Sequence, residues 1–446
     1  MAEKHLFFYE KFCYGVTDLS FSMAYTIQSF FLLIFLTDVL NVPPALAGTL
    51  LLISKIWDAI IDPVIGYLSD RTRTKWGRRR PFLLWFSLPF GISFTFLWSL
   101  PIVSSPLIQL LIILGAIMLF ITFFSLLSVP YTSLAPEMTT DYDERTRLNG
   151  YRMFFSIIGG LIAVVIPSYL LGLGSNLRAG YRTMGICFGI LIGILPLAAF
   201  LGTKEKIGSS AENLSFLQGM RLVFSNRPFV LSLIMYLATW VAIDVISAVF
   251  LYYLKYWIGI TEDKSNTIFG LLFISAAIFL PFWVKFADRF GKKAAYFSGL
   301  GFLSLLMLGL LLLPIGMSPI IYIIAVLAGI GISAAHIIPI SIIPDAIEYD
   351  ELHTGKRQEG VYFGFVTFLQ QLASSAALFF SGVVLQFCGY IPNAVQPPTA
   401  LLGIRLLLGL IPGILILFGM LALIKYPINR ETHAQIVEEL TARRSL

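Results

Sequence analysis

The sequence predicts an all-α integral membrane protein, with twelve transmembrane helices in two six-helix pseudo-repeat bundles. Three observations carry this. Of the 446 residues, 57% are apolar and 13% charged, whereas soluble domains carry about a quarter charged residues. Charge-poor stretches long enough to cross a bilayer, about 20 residues each, alternate with short charged ones. The loops of the first half also recur in the second. Hydrocarbon forces every backbone amide to find its partner inside the protein, which leaves helices or closed barrels. Long unbroken apolar runs, rich in the 38 Phe residues, suit helices and not the weak alternation of a barrel.

Taken in order, spans are expected at 12–38, 44–69, 81–101, 106–134, 148–173 and 181–202, then at 227–258, 265–287, 294–314, 318–343, 358–388 and 398–426. The longest polar break divides the chain into an N-terminal bundle (1–202), a central loop (203–226), a C-terminal bundle (227–426) and a tail (427–446). Met1 to Glu10 is polar and the apolar stretch after it is too long for a cleavable signal peptide, so that stretch reads as the first span. Twelve spans place both termini on one side. All but six of the 31 Lys and Arg fall in the termini and in the loops after spans two, four, six, eight and ten. The positive-inside rule makes that side cytoplasmic. The expected location is therefore a cytoplasmic (inner or plasma) membrane, crossed many times, with both termini inside. The net charge of +6 then reports topology and gives no reason to expect a nucleic-acid partner. The tail from Asn429 to Leu446, with Glu438, Glu439, Arg443 and Arg444, reads as a short amphipathic helix packed on cytoplasmic loops.

The halves rhyme at two places. Gly66-Tyr67-Leu68-Ser69-Asp70-Arg71 and the basic run Lys75-Trp76-Gly77-Arg78-Arg79-Arg80 lie between spans two and three; Asp288-Arg289-Phe290-Gly291-Lys292-Lys293 lies between spans eight and nine. Pro136-Glu137 leads into Asp141-Tyr142-Asp143-Glu144 after span four, and Pro344-Asp345 into Glu348-Tyr349-Asp350-Glu351 after span ten. Matching loops at matching places indicate parallel repeats of the kind found in secondary transporters. An Asp at a helix end and Arg residues across a short loop hold neighbouring helices in one conformation, and transport requires that contact to break. Asp70, Arg71, Arg78, Asp288, Arg289, Glu348, Asp350, Lys356 and Arg357 are the gating candidates; the same loops also set topology.

No Walker motif, catalytic triad, zinc pattern or dinucleotide fingerprint occurs. This argues against an ATP-driven pump or an enzyme, and against a prosthetic cofactor. Cys13, Cys187 and Cys388 have no pairing or metal spacing and read as core residues.

Ionisable residues inside spans are expensive and mark function by default. Lys55, Asp58 and Asp62 are three and four residues apart, on one face of span two. Two carboxylates one turn apart repel, and a Na⁺ or a proton shared between them relieves the repulsion. Lys55 neutralises one of them and lowers the cost of the empty site. Pro63 lacks an amide hydrogen, so the carbonyl of Ala59 is free to kink the helix or to add a ligand. Asp244 sits mid-span near Trp240, where a cavity-facing ligand group and a structural hydrogen bond are both open. Gln370 and Gln371 offer amides of the kind that read hydroxyls or that bond helix to helix. His336 offers a proton relay, although a lone His on an apolar helix reads first as a core residue. Tyr252, Tyr253, Tyr256 and Trp257 read as an interfacial belt.

Trp57-Asp58-Ala59-Ile60-Ile61-Asp62-Pro63, the Asp70-to-Arg78 loop, and Glu348-Tyr349-Asp350-Glu351 with Thr354-Gly355-Lys356-Arg357-Gln358-Glu359-Gly360 together resemble the major facilitator superfamily. Within it they resemble the glycoside–pentoside–hexuronide:cation symporters, over nearly the whole chain. The resemblance implies a central cavity between the halves and symport of a sugar with Na⁺, H⁺ or Li⁺. It also implies that Asp58 and Asp62 are the paired cation-site aspartates, with Ser125 at the position of a hydroxyl ligand, and that Asp18 is a sugar-binding aspartate. A carboxylate that accepts two hydroxyl hydrogen bonds suits a polyol. Departures mark this chain. Ile61 stands where the family has Asn, which favours H⁺ over Na⁺. Ser128 replaces a second sugar aspartate, Thr132 a stacking Trp, and Gln371 a Lys; the Arg of span five falls on Met153, beside Arg152.

The expected function is cation-coupled (H⁺ or Na⁺) symport of a sugar or sugar derivative by a monomer in membrane lipid, with substrate touching Asp18, Arg152, Asp244 and Gln371. Two alternatives stay open. One is a lysophospholipid or amphiphile carrier of the same fold, against which Gln371 counts because the family's Lys is what would meet a phosphate. The other is a membrane sensor without flux.

Overall fold

Among the described residues, twelve helices are long and apolar enough to cross a membrane. They are α1 (Phe8–Val39), α2 (Pro44–Arg71), α3 (Arg80–Leu97), α4 (Pro106–Met138), α5 (Arg147–Gly172), α6 (Leu177–Gly202), α7 (Arg227–Ile258), α8 (Asn266–Phe290), α9 (Lys292–Leu312), α10 (Ile320–Thr354), α11 (Glu359–Phe387) and α12 (Pro398–Ile424). A linker helix, Phe216–Ser225, precedes α7, and a tail helix, Arg430–Arg444, follows α12. The computed structural model describes residues 6–139, 141–205, 216–261, 265–316, 319–355 and 358–444. No strand occurs among them beyond an isolated bridge between Thr74 and Gly77.

The chain divides into two units. One is Met1–Ala211 with Thr261–Thr267; the other is Glu212–Ile260 with Ile268–Leu446. Packing repeats between them. In the first unit α1 lies against α5, and α3 against α4 and α6; in the second α7 lies against α11, and α9 against α10 and α12. Both leading helices end in a widened turn, Phe35–Val39 in α1 and Tyr253–Ile258 in α7. Such π-type turns are rare and tend to mark functional helices.

Four expectations need correction. The tenth span does not end at 343. It runs on to Thr354, with Pro339 and Pro344 inside it, because neighbouring helices can re-satisfy the backbone groups a proline frees. Glu348 and Asp350 are therefore on a helix, not a loop, and Gly355 at φ +69° closes it in the left-handed conformation. Tyr252 and Tyr253 are buried and not interfacial: Tyr252 meets Tyr390 edge-on at 5.3 Å, and the Tyr253 hydroxyl donates to the Leu310 carbonyl at 3.4 Å. Only Cys13 is a buried cysteine; Cys187 is exposed and Cys388 half-buried. A thiol is apolar enough for the outer face of a spanning helix. His336 is exposed and not part of the core, with Nδ1 at 3.0 Å from the Ile332 carbonyl one turn back.

Candidate functional site

The first unit contains two polar clusters. In α2, Asp58 is 5% exposed. Its Oδ1 accepts from the Ser125 hydroxyl of α4 at 3.1 Å, and its Oδ2 lies 3.4 Å from Lys55 Nζ. Trp57 Nε1 donates to Thr122 Oγ1 at 2.9 Å, one turn from Ser125, so two side-chain bonds fix the register of α2 on α4. Asp62 follows one turn later on the same face, half-buried. Sequence spacing had placed Lys55, Asp58 and Asp62 together. The Ser125 hydroxyl, at the position the resemblance implied, occupies one Asp58 oxygen and Lys55 faces the other. The arrangement offers carboxylate and hydroxyl oxygens, the hard donors that hard cations select.

The second cluster joins α1, α4 and α5. Asp18 Oδ1 lies 3.5 Å from Arg152 Nε. Helix approach makes this pairing possible. A Cβ at Gly15 would fall 2.9 Å from Tyr151 Cβ, and one at Gly159 would fall 2.8 Å from the Leu19 carbonyl. Small residues are what let spanning helices come this close. Behind the ion pair, Tyr14 and Tyr131 stack at 4.6 Å, and the Tyr131 hydroxyl donates to the Tyr14 carbonyl at 2.9 Å. Ser128 is half-buried. Thr132 is exposed, and its hydroxyl donates back to the Ser128 carbonyl at 2.9 Å.

In the second unit a stripe runs along α7. Tyr236 donates its hydroxyl to Gln370 Oε1 of α11 at 2.6 Å and stacks on Trp240 at 5.8 Å. Trp240 in turn meets the His336 ring of α10 edge-on at 5.8 Å. The indole Nε1 is buried without an acceptor among the described residues. One turn on, Asp244 accepts from the Ser374 hydroxyl of α11, which supplies the hydrogen bond that a buried carboxylate needs. Gln371 is half-buried beside Gln370.

Of the gating candidates, Asp70 and Arg78 join an acid–base contact that each unit makes once. In the first unit Glu137, 1% exposed, accepts from Arg79 Nε at 2.6 Å and Arg78 Nη2 at 2.9 Å, and Arg79 reaches on to Asp70 at 2.6 Å. In the second unit Asp345 takes Lys292 at 2.6 Å. Each time, an acid within the fourth helix of the repeat holds a base at or just before the start of the third. Arg79, Glu137, Lys292 and Asp345 are the residues sequence reasoning missed, although Pro136-Glu137 and Pro344-Asp345 were the signal. Arg71 instead covers the Tyr67 ring at 4.1 Å. Asp288 and Arg289 are exposed, and the Arg289 carbonyl accepts from Arg430 of the tail at 2.9 Å. Glu348 binds His433 of the tail at 2.8 Å, and Asp350 is half-buried near Tyr362. Lys356 and Arg357 lie outside the described residues.

The family model described as MFS/sugar transport protein matches residues 13–430. An uncharacterized symporter of Synechocystis is 32% identical, over 99% of this chain and 98% of its own. A sodium-dependent lysophosphatidylcholine symporter of Xenopus tropicalis is 29% identical, over 95% of this chain and 88% of its own. Among solved structures, a bacterial homolog of the human lysosomal transporter Spinster superposes with a TM-score of 0.67 at 12% identity, covering 97% of this chain and 98% of that one. A nucleoside transporter reaches 0.65 at 14%, covering 93% and 99%. These structures share the fold alone. The family match spans nearly all twelve helices and both polar clusters of the first unit. The chain accordingly belongs to the MFS/sugar transport family and is a multi-pass membrane transporter, not an enzyme.

Proposed function

We propose that the protein is a symporter that couples H⁺ or Na⁺ to uptake of a sugar or sugar derivative, with the cation at Asp58, Asp62 and Ser125. The observation that carries this is Asp58: a sheltered carboxylate in the middle of a spanning helix, with a hydroxyl already on one oxygen. Relatives named as sodium-dependent symporters support ion coupling. On the substrate side, the Asp18 carboxylate and Arg152 guanidinium supply acceptors and donors for ring hydroxyls. In the first unit Ser128 and Thr132 add hydroxyls; in the second, Trp240, Gln370, Gln371 and Asp244 offer an apolar face, amides and a carboxylate. Excess Lys and Arg on one set of loops supports cytoplasmic termini. Rocking of the two repeats then exposes the site to each side in turn.

A second reading, carriage of lysophosphatidylcholine or a similar amphiphile, is favoured by relatives named for that substrate at 27–29% identity. Gln371 supports the sugar instead, since an amide pairs with hydroxyls without supplying the charge a phosphate needs. Counterflow of a radiolabelled panel of hexoses, pentoses, uronates and lysophosphatidylcholine into proteoliposomes separates the two. Uptake is run with Na⁺ at fixed pH, then with a pH gradient and no Na⁺. One of these ions should drive accumulation, and Asp58→Asn or Asp62→Asn should abolish it. Accumulation by both variants at the wild-type level refutes the cation site, and dependence on neither ion makes the protein a uniporter.

A further inference from the structure

A cation site lined by two carboxylates gains nothing from an ammonium beside it, yet α2 places one there. Lys55 Nζ lies 3.4 Å from Asp58 Oδ2, while Ser125 occupies Oδ1. Asp58 is the one hydrogen-bonding partner of that ammonium among the described residues.

The pair is loose in two respects. Charge-assisted N–H···O bonds close to about 2.7–2.9 Å, and a base placed N-terminal to its acid is the weaker order on a helix. It is nonetheless sheltered, with side chains 18% and 8% exposed. Removing the ammonium without replacement would leave a buried bare carboxylate beside Asp62, which is strongly unfavourable. A partner that is needed but poorly fitted is one built to be exchanged. The length and rotatable bonds of the Lys stem let the ammonium leave Oδ2 without moving the helix.

We infer that Lys55 is a tethered counter-cation, holding Asp58 Oδ2 in the empty carrier and displaced when the coupling cation binds, so that it sets the affinity of the site. The inference rests on Asp58 being a cation ligand. Binding is then an exchange of one positive charge for another at the same oxygen. The apparent affinity is the intrinsic affinity reduced by the competition. A lowered affinity also favours release of the cation where its concentration is low.

The test uses the full-length protein in nanodiscs and Na⁺ alone, titrated calorimetrically at fixed pH. Lys55→Met should lower the Na⁺ Kd by about tenfold or more, because the like charge beside the site is gone. Lys55→Arg, which keeps the charge, should hold Kd near wild type. An unchanged or higher Kd in Lys55→Met, confirmed in Lys55→Gln, overturns the inference. Asp58→Asn separates the two claims. If it binds Na⁺ as the wild type does, the cation-site reading fails; if it abolishes binding while Lys55→Met leaves Kd unchanged, only the counter-cation fails. Wild-type protein that binds no Na⁺ across the titration overturns the inference as well.

Discussion

Glu137→Gln tests how the loop after α2 is held. Glu137 is almost fully enclosed and receives both Arg78 and Arg79, and Arg79 also spans to Ser69 at 3.3 Å and Asp70 at 2.6 Å. Glutamine keeps the shape and one acceptor oxygen but removes the charge. Breaking one side of a buried ion pair costs about 3–5 kcal/mol. The surviving hydrogen bond recovers about 1 kcal/mol, leaving a loss of about 2–4 kcal/mol. For a unit of about 200 residues, 1 kcal/mol moves Tm by about 2–4 °C, so Tm should fall by about 5–15 °C. Thermal unfolding in nanodiscs, followed by tryptophan fluorescence, reads this directly. Asp345→Asn in the second unit should cost less than half as much. Its partner Lys292 is 36% exposed, against 10% for Arg79, and the Lys292 ammonium keeps the Ser341 carbonyl at 2.7 Å. A fall below about 1 °C in Glu137→Gln, or an equal fall in both variants, would refute the reasoning.

The tail should undock as pH rises. The hydrogen bond to Glu348 holds the His433 proton and raises its pKa, with Asp345 adding to the effect while partial burial and Lys292 oppose it. A group whose folded pKa is raised contributes fully below its unfolded value, about 6.5, and the contribution is lost as pH climbs through the folded value. Amide exchange across 430–440, corrected for its intrinsic pH dependence, should therefore quicken above neutrality in the wild type. In His433→Gln it should be flat with pH, and an identical profile in both proteins would remove the imidazole from the account. Gly15→Ala should force α1 from α5, since its Cβ would meet Tyr151 at 2.9 Å. Overpacking of this kind costs about 1–3 kcal/mol, visible as a lower Tm and as weaker binding of any substrate that touches Asp18 and Arg152.

Much of this was legible in the sequence, and the rest failed for physical reasons. Twelve spans could be read because run length in hydrocarbon is a hard constraint, and Lys55, Asp58 and Asp62 because three- and four-residue spacing on a helix leaves little freedom. The end of α10 was not legible. Pro344-Asp345 reads as a stop in water, but packed spanning helices tolerate it. Nor was the partner of Asp70 singled out: of the Arg residues across that loop, Arg79 makes the contact. Gly77 at φ +108° reverses the chain there, and the amides of Arg78, Arg79 and Arg80 converge at 2.7, 2.8 and 2.9 Å on the Glu205 carboxylate. The open amides at the start of α3 require an acceptor. Nothing local announces that it comes from Glu205, more than a hundred residues away.

The two repeats share their scaffold and diverge in their chemistry. The acid–base contact near the start of the third helix is made in both, by Glu137 with Arg79 and by Asp345 with Lys292. Mechanical parts of this kind must match if the two halves are to move in concert. The intramembrane charges do not match. Within α2 lie Lys55, Asp58 and Asp62. In α8, the equivalent helix, the ionisable residues Lys285, Asp288 and Arg289 are confined to its last turns. The carboxylate of α7, Asp244, accepts from a hydroxyl of α11. The ion pairs of Asp58 with Lys55 and of Asp18 with Arg152 both lie in the first unit, while the second offers an indole, amides and an imidazole. A buried ion pair is costly to keep and more costly to half-empty, so the first unit is where loading by a cation changes the electrostatics most. On the proposed function, that assigns energy coupling to the first unit, and to the second the recognition of whatever neutral surface the substrate presents.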